Sequence, residues 1–192
     1  GRPIPNKVGW ILMESPVFIV MCILWGFSSR QWDTVPLILF AIFQLHYFQR
    51  SFIFPLLMRG DSKMPLGIVL MGMVFNTLNA LMQGGWIFYL APEGYYADWL
   101  VKPYLWIGVL VFVAGMVINL HSDYIIRHLR KPGDRRHYIP KGGMFRYVSS
   151  ANYFGELLEW TGFAIASWSW AGVVFVWWTF ANLAPRSASL YK

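Results

Sequence analysis

The sequence predicts an all-α fold, a polytopic bundle of transmembrane helices that forms a single domain over residues 1–192. Of the 192 residues, 57% are hydrophobic and only 13% are charged, whereas soluble domains have about 25% charged residues. So few charged side chains cannot cover a water-exposed surface, which excludes an ordinary soluble protein. The 11 tryptophans and 10 tyrosines fit the aromatic belts found at membrane–water interfaces.

Six apolar runs are long enough to cross a bilayer, which takes about 20 residues. The first span ends at SSRQWD, the second at RGDSKMP and the third at PEGYYAD. The fourth begins at Pro103, a favourable first-turn residue, and stops before Pro132, which cannot continue a helix. The loop KPGDRRHYIPKGG precedes the fifth span, and SWSW separates the fifth from the sixth. The predicted spans are 9–27, 34–58, 65–91, 103–130, 146–167 and 169–184.

Basic residues divide the loops between these spans into two groups. Fourteen of the 16 Lys and Arg residues lie at the two termini and in the loops after the second and fourth spans. Only Arg30 and Lys102 lie in the other loops. Because basic loops stay cytoplasmic, we expect loop 131–145 to face the cytoplasm, in a bacterial inner membrane or the endoplasmic reticulum. The net charge of +7 is then a topology signal, and no nucleic-acid partner is predicted.

Polar residues inside the predicted spans recur at helical spacing, which puts each set on one helix face. Charged side chains inside a bilayer are costly and usually face a cavity or a partner. The first span carries Glu14 alone. On the other spans the sets are His46, Tyr47 and Arg50; Asn76, Asn79 and Gln83; Asn119, Asp123, Arg127 and Arg130; and Asn152, Glu156 and Glu159.

Two interpretations of these polar faces remain open. In the first, the amides and ion pairs only join neighbouring helices, as Asn and Gln commonly do in membranes. In the second, they line a cavity that opens on the basic side and binds an anionic ligand. Seven basic residues lie between positions 127 and 146, and Arg is suited to bidentate phosphate binding. The same basic run is also typical of a topology signal or a lipid-headgroup patch.

The motifs of several common enzyme sites are missing from the sequence. It contains neither the glycine fingerprint G-x-G-x-x-G between a strand and a helix nor the P-loop motif, and no G-x-S-x-G elbow. The four histidines have no recognised metal-ligand spacing, so no metal site is predicted. The single cysteine, Cys22, permits no disulfide framework.

Four stretches resemble the steroid 5α-reductase family. They are LHYFQRSF (45–52), NLHSDYIIRHLRKPG (119–133), IPKGGMFRYVSSANYFGELLEW (139–160) and, more loosely, WILMESP (10–16). The resemblance implies an integral membrane enzyme that transfers hydride from NADPH to C5 of a 3-oxo-Δ4-steroid, such as progesterone or testosterone. It also implies a bundle of seven spans. Because six are counted here, we expect that a span before residue 9 is missing and that this chain starts late.

The resemblance also implies roles for individual residues. Glu14 and Tyr47 match the pair that hydrogen-bonds the steroid 3-keto oxygen, where donors would stabilise the developing enolate. A tyrosine hydroxyl can donate there, and Glu14 can donate if burial keeps it protonated. His46 and Arg50 border this site, and Gln83 and Glu159 are further candidates for lining or supporting the pocket. The matches to cofactor-binding positions are Asn119, Asp123, Arg130, Asn152 and Glu156.

The chain departs from the family pattern in two places. Where the family places a cofactor-contacting tyrosine in the long loop, this chain has His137 followed by Tyr138, and either could take that role. The family continues past its last span with a His- and Tyr-rich segment, whereas this chain reads SASLYK after Arg186. We expect that this segment is lost or that these letters join pieces across a gap, with Tyr191 as its remnant.

Other functions remain as alternatives. A related membrane reductase of enoyl thioesters or polyprenols would use the same hydride chemistry, and the sequence does not define the shape of the substrate chamber. A transporter would use intramembrane carboxylates to relay protons or ions, although no internal repeat favours one. Membrane lipid is an expected partner, and the oligomeric state is not predicted.

Overall fold

The computed structural model describes residues 2–60, 62–129, 136 and 138–189, and most of these are helical. The predicted all-α class is therefore confirmed. The chain forms two compact units, Gly1–Lys102 and Pro103–Lys192, each of which is described here by itself. The single domain expected from the sequence stays a prediction.

The first unit is built from four α-helices and two short strands. Two of its helices continue into π-helical turns, Gln49–Ile53 and Trp86–Leu90. In chain order the elements are β1 (Pro3–Pro5), α1 (Asn6–Gly26), α2 (Thr34–Phe48), α3 (Phe54–Leu57), β2 (Lys63–Pro65) and α4 (Leu66–Gly85).

The two strands, which the sequence does not predict, tie the N-terminus to the loop before α4. They pair antiparallel, with Ile4 opposite Met64. The Asn6 amide N–H extends the pairing by donating to the Ser62 carbonyl at 2.9 Å. Proline is tolerated in strands of this length because they leave few ladder bonds to fill. The basic N-terminus and the basic loop after α3 thus lie at the same end of this unit.

The π-helical turn at Gln49–Ile53 begins two residues after Tyr47. Pro55, just beyond it, has no N–H to donate to the carbonyl of Ser51, and a wider turn accommodates that missing bond. Single π turns in long helices often occur at functional sites. This turn carries Arg50, whose guanidinium lies 4.8 Å from the Trp10 ring centroid and 4.6 Å from that of Phe54.

Helices α1 and α4 pack closely along their length. A Cβ at Gly72 would collide with the Met13 side chain, and one at Gly84 would lie 2.8 Å from Met21 Sδ. Glycine at these two positions lets side chains of α1 lie directly against the backbone of α4. Because Met13 contacts α4 at Gly72, the position of its neighbour Glu14 along the axis of α4 is defined.

At the other end of the first unit, hydrogen bonds involve the π-helical turn that follows α4 and the residue after it. Arg30 Nη1 donates to the Ala91 carbonyl at 2.7 Å, and Trp86 Nε1 donates to the Tyr96 hydroxyl at 3.1 Å. Burial raises the pKa of the Tyr96 hydroxyl, which keeps it neutral. Arg30 is one of the two basic residues outside the predicted cytoplasmic loops. Its hydrogen bond joins the loop after α1 to Ala91 and so has a structural role.

The second unit contains α5 (Pro103–His128), α6 (Ala151–Ser167) and α7 (Trp170–Ser189), with a short 3₁₀ helix at Gly143–Arg146. Helices α5 and α6 cross with their backbones in contact. Glycines seven residues apart on each helix make this possible, because Gly108 faces Gly162 and Gly115 faces Gly155. A Cβ at Gly115 would lie 2.5 Å from the backbone nitrogen of Glu159, so no larger residue fits without separating the helices.

The tight turn SWSW connects α6 to α7 as predicted. Trp168 ends α6 with a left-handed conformation, φ 47°, and its ring stacks on Tyr104 at a centroid distance of 4.6 Å. Ser169 then caps α7, because its Oγ accepts the Gly172 N–H at 3.0 Å. This is the usual N-cap bond to the third residue of a helix.

Four helical stretches in the described residues are long and apolar enough to cross a membrane, and they match the first four predicted spans. They are Asn6–Gly26, Thr34–Leu57, Leu66–Leu90 and Pro103–His128. The predicted fifth and sixth spans are helices but lie outside this set. Helix α6 begins at Ala151 instead of residue 146, because a 3₁₀ helix ends at Arg146 and a turn and loop segment occupies residues 147–150, and α7 runs to Ser189 instead of 184.

Candidate functional site

The first unit brings both predicted catalytic residues onto one face of α4. Asn76 Nδ2 donates to Glu14 Oε2 at 3.2 Å and to the Met13 carbonyl at 2.9 Å. Asn79 Nδ2 donates to the Tyr47 hydroxyl oxygen at 2.8 Å. Glu14 is half-buried, whereas Tyr47 and both amides are buried. The carboxyl from α1 and the phenol from α2 are thus held by amides one turn apart.

Of the four other residues predicted to border, line or support the pocket, His46, Arg50 and Gln83 lie in the same unit, whereas Glu159 lies in the second unit. His46 is buried, and its ring meets the Tyr47 ring edge to face at a centroid distance of 4.9 Å. Gln83 is buried on α4, four residues beyond Asn79, so it continues the amide face by one turn. Arg50 lies one turn after Tyr47 between two aromatic rings, which stabilise its charge. His46 and Arg50 thus lie on the helical segment that carries Tyr47. Gln83 lies on α4, whose amides bond Glu14 and Tyr47.

The second unit brings together part of the predicted cofactor site. Asn119 Nδ2 donates to the backbone carbonyl of Asn152 at 2.9 Å, directly beside the crossing of Gly115 and Gly155. Asp123 is buried one turn further along α5. Glu156 follows Asn152 by one turn on α6 and is half-buried. These four residues therefore lie on the facing sides of two helices in contact.

Glu159 lies deeper in the same crossing. It is fully buried, and its backbone nitrogen packs against Gly115. Its predicted role in lining or supporting the substrate pocket stays a prediction.

Three predicted cofactor residues, Arg130, His137 and Tyr191, fall outside the described residues, and their roles stay predictions. Tyr138, the alternative to His137, is described. Its ring lies 5.4 Å from the Arg136 guanidinium, within the range of a cation–π contact.

Comparisons with known proteins place the chain in a family. The family model described as 3-oxo-5-alpha-steroid 4-dehydrogenase matches residues 62–192. The mouse protein 3-oxo-5-alpha-steroid 4-dehydrogenase 1 is 44% identical over 191 residues, which cover 97% of this chain and 73% of that protein. The chain belongs to this steroid 5α-reductase family.

Two further relatives, one human and one from a plant, align with this chain over a similar share of its length. Human 3-oxo-5-alpha-steroid 4-dehydrogenase 2 is 40% identical over 190 residues, covering 96% of this chain and 72% of the relative. Steroid 5-alpha-reductase DET2 of Arabidopsis thaliana is 34% identical over 198 residues, covering 100% and 75%. The resemblance inferred from the sequence is confirmed, and with it an oxidoreductase family and a multi-pass membrane protein.

Two buried polar atoms of this reductase-family chain lie outside the residues predicted to bind the cofactor. Ser122 Oγ and Arg127 Nη1 are buried and have no hydrogen-bond partner within the part of the chain that the structure describes. Arg127 belongs to the polar face predicted on the fourth span. Ser122 lies three residues after Asn119 on α5, so the helical spacing used for Asn119 and Asp123 could have found it.

Proposed function

We propose that this protein reduces the C4–C5 double bond of 3-oxo-Δ4-steroids to 5α-steroids, with NADPH as the hydride donor and C5 as the acceptor. Membership of the 3-oxo-5-alpha-steroid 4-dehydrogenase family supports the steroid substrate and the double-bond reduction. The cofactor and the site of hydride attack are supported by the chemistry of the two residue clusters.

The observation that carries the proposal is the pair Glu14 and Tyr47 on the amide face of α4. Hydride can add to C5 of a conjugated enone only if the 3-keto oxygen accepts the displaced electron pair. Preorganised donors at that oxygen stabilise the enolate and lower the barrier. The Tyr47 oxygen accepts from Asn79, and a phenol hydroxyl can donate its own proton at the same time.

Glu14 supplies the second donor when its carboxyl is protonated. The Asn76 amide on its Oε2 keeps the carboxyl within the helix contact, where it can reach a ketone also approached by Tyr47. Protonation at C4 then converts the enolate into the saturated ketone. The balance is one hydride to C5 and one proton to C4, with both electrons supplied by the hydride.

NADPH supplies that hydride when it is bound. The second unit has the groups that a nucleotide needs: amide and carboxyl groups for ribose hydroxyls and base edges, and cations for phosphates. The partnerless Ser122 Oγ and Arg127 Nη1 in the described residues fit a site completed by a polar ligand. Asn119, Asp123, Asn152 and Glu156, with Arg130 from the basic loop, are the residues that would hold it.

The basic loops are proposed to face the cytoplasm, where NADPH is available. Pairing of β1 with β2 keeps the basic N-terminus and the basic loop after α3 at one end of the first unit. This agrees with the rule that positively charged loops stay inside.

Purified protein in detergent tests the proposal when it is supplied with NADPH and progesterone or testosterone. The expected result is the 5α-reduced steroid and an equal amount of oxidised NADPH, with no turnover of an enoyl thioester or a polyprenol. Turnover of either of those substrates without any Δ4-3-ketosteroid would overturn the steroid assignment. Proton or ion flux into proteoliposomes without NADPH oxidation would favour a transporter instead.

A further inference from the structure

We infer that Asn76 and Asn79 are positioning residues that orient Glu14 and Tyr47 for reaction, with α4 as their shared frame. This inference rests on the proposed steroid reduction and adds two residues to it. Each amide makes a direct bond to a reactive group, at 3.2 Å for Glu14 Oε2 and 2.8 Å for the Tyr47 oxygen.

The spacing of the two amides sets the separation of the two groups they hold. Residues three apart on a helix project from the same face, with Cβ atoms about 5–6 Å apart. Glu14 comes from α1 and Tyr47 from α2, so their own helices do not fix their relative position. Helix α4, which binds both groups, fixes their relative position. The close contact of Gly72 with Met13 holds α1 against α4.

The direction of each hydrogen bond matters for the chemistry. Nδ2 can only donate, so it makes Glu14 Oε2 and the Tyr47 oxygen acceptors. A proton on the Glu14 carboxyl then resides on Oε1, away from Asn76. A hydroxyl that accepts a bond also becomes a better donor, because bonds in a chain polarise one another. Both amides therefore favour the donor role that the steroid ketone requires.

Asn76 makes a second hydrogen bond to α1, at the residue next to Glu14. The same Nδ2 donates to the Met13 carbonyl at 2.9 Å, beside the residue whose carboxyl it holds. Both hydrogens of one amide are thus used on consecutive residues of α1. This fixes the register of Glu14 along α4, because a shift by one residue would break both bonds.

The competing interpretation is that the two amides only join helices. Single interhelical hydrogen bonds in membranes contribute on average about 0.6 kcal/mol, so their removal would lower stability slightly and leave kcat unchanged. A positioning role predicts the opposite pattern. Losing a few tenths of an ångström of alignment lowers kcat while substrate and cofactor KM stay nearly constant.

The test uses Asn76→Leu and Asn79→Leu, which keep the side-chain size and leave no new buried polar atom. Each is expected to lower kcat by roughly 10- to 100-fold, short of the effect of deleting a donor outright, with the KM for NADPH within about twofold. Asn79→Asp is the sharper variant. When ionised, its carboxylate can only accept, so it takes the Tyr47 proton away from the ketone, and the loss of kcat should approach that of Tyr47→Phe as the assay pH is raised.

Gln44→Leu is the matched control. Gln44 is a buried amide of the same unit, and its Nε2 also ties α1, through the Phe18 carbonyl at 3.1 Å, but it bonds neither Glu14 nor Tyr47 through that amide nitrogen. Its kcat should equal that of the unmodified protein. In a Tyr47→Phe background, Asn79→Leu should cost no more than about a further twofold, because the group it orients is already gone.

The outcomes distinguish a failure of the positioning role from a failure of the proposed steroid reduction. If the unmodified protein reduces no Δ4-3-ketosteroid, the proposed function fails. If it does, and the Leu variants keep full kcat, the positioning role is wrong. An equal loss of kcat in Gln44→Leu, or an undiminished effect of Asn79→Leu in the Tyr47→Phe background, would also overturn it. Rates are measured per monodisperse protein from gel filtration, so that unfolded material does not enter kcat.

Discussion

Replacing Gly155 by alanine should separate α5 from α6 and weaken cofactor binding. The added Cβ would lie 2.5 Å from the Asn119 backbone nitrogen and 2.8 Å from the Gly115 carbonyl oxygen. Both are backbone atoms that cannot rotate away. Ordinary contact begins near 3.4 Å, so the helices must move apart by about 0.9 Å to restore normal packing.

That displacement reaches the bond between Asn119 and Asn152. Its length of 2.9 Å would grow to about 3.8 Å, beyond the range of a hydrogen bond. Overpacking and the lost bond together cost about 2–4 kcal/mol, and the better helix propensity of alanine returns about 1 kcal/mol. The expected net loss is about 1–3 kcal/mol, and the KM for NADPH should rise roughly tenfold, as one hydrogen-bonded position at the cofactor site is displaced.

The assay is unfolding in mixed detergent micelles with increasing SDS, followed by tryptophan fluorescence, together with steady-state kinetics. Gly85→Ala is the control, because no atom lies within 4 Å of the Cβ it would add. It should leave NADPH kinetics unchanged and stability equal or slightly higher. If Gly155→Ala unfolds like the unmodified protein and has the same KM for NADPH, the close crossing does not shape the cofactor site.

Three further predictions concern single side chains. Tyr47→Phe should lower kcat by about 100-fold or more, the effect of losing one donor at a developing oxyanion, and normal turnover would remove Tyr47 from the reaction. Arg130→Ala should mainly raise the KM for NADPH, because Arg binds phosphate, and an unaltered KM would exclude it from the cofactor site. Ser169→Ala should cost about 1 kcal/mol of stability by removing the cap of α7, measured by the same SDS unfolding, without changing the kinetics of either substrate.

The sequence predicted the membrane class and the first four spans because both follow from composition and run length. Apolar length indicates the stretches Leu66–Leu90 and Pro103–His128, and Pro103 and Pro132 help to bound the second of them. The predicted start of α6 lies five residues before the observed one, because Tyr147 and Val148 continue the apolar pattern although a turn and loop segment occupies residues 147–150. The pairing of β1 with β2 joins segments about 60 residues apart, and no local pattern in either one indicates the other.

Part of the candidate site follows from the helical spacing of its polar residues. Helical spacing put Asn76 and Asn79 on one face, but spacing cannot tell which neighbouring helix that face meets. Asn79 joins α4 to α2 through Tyr47, as the helix-contact interpretation expects, and the functional cavity of the second interpretation stays a prediction. The glycine crossing of α5 and α6 was missed because Gly108 and Gly115 look like ordinary small residues until their partners are known.

Hydride is proposed to pass from NADPH to C5 of the steroid. Isotope labelling follows that transfer: NADPH carrying deuterium at the nicotinamide C4 position from which hydride leaves is incubated with the purified protein and testosterone. We expect one deuterium in the product, at steroid C5 and on the α face, as located by NMR. Deuterium at steroid C4, or a 5α-reduced product without deuterium, would show that the proposed transfer is wrong.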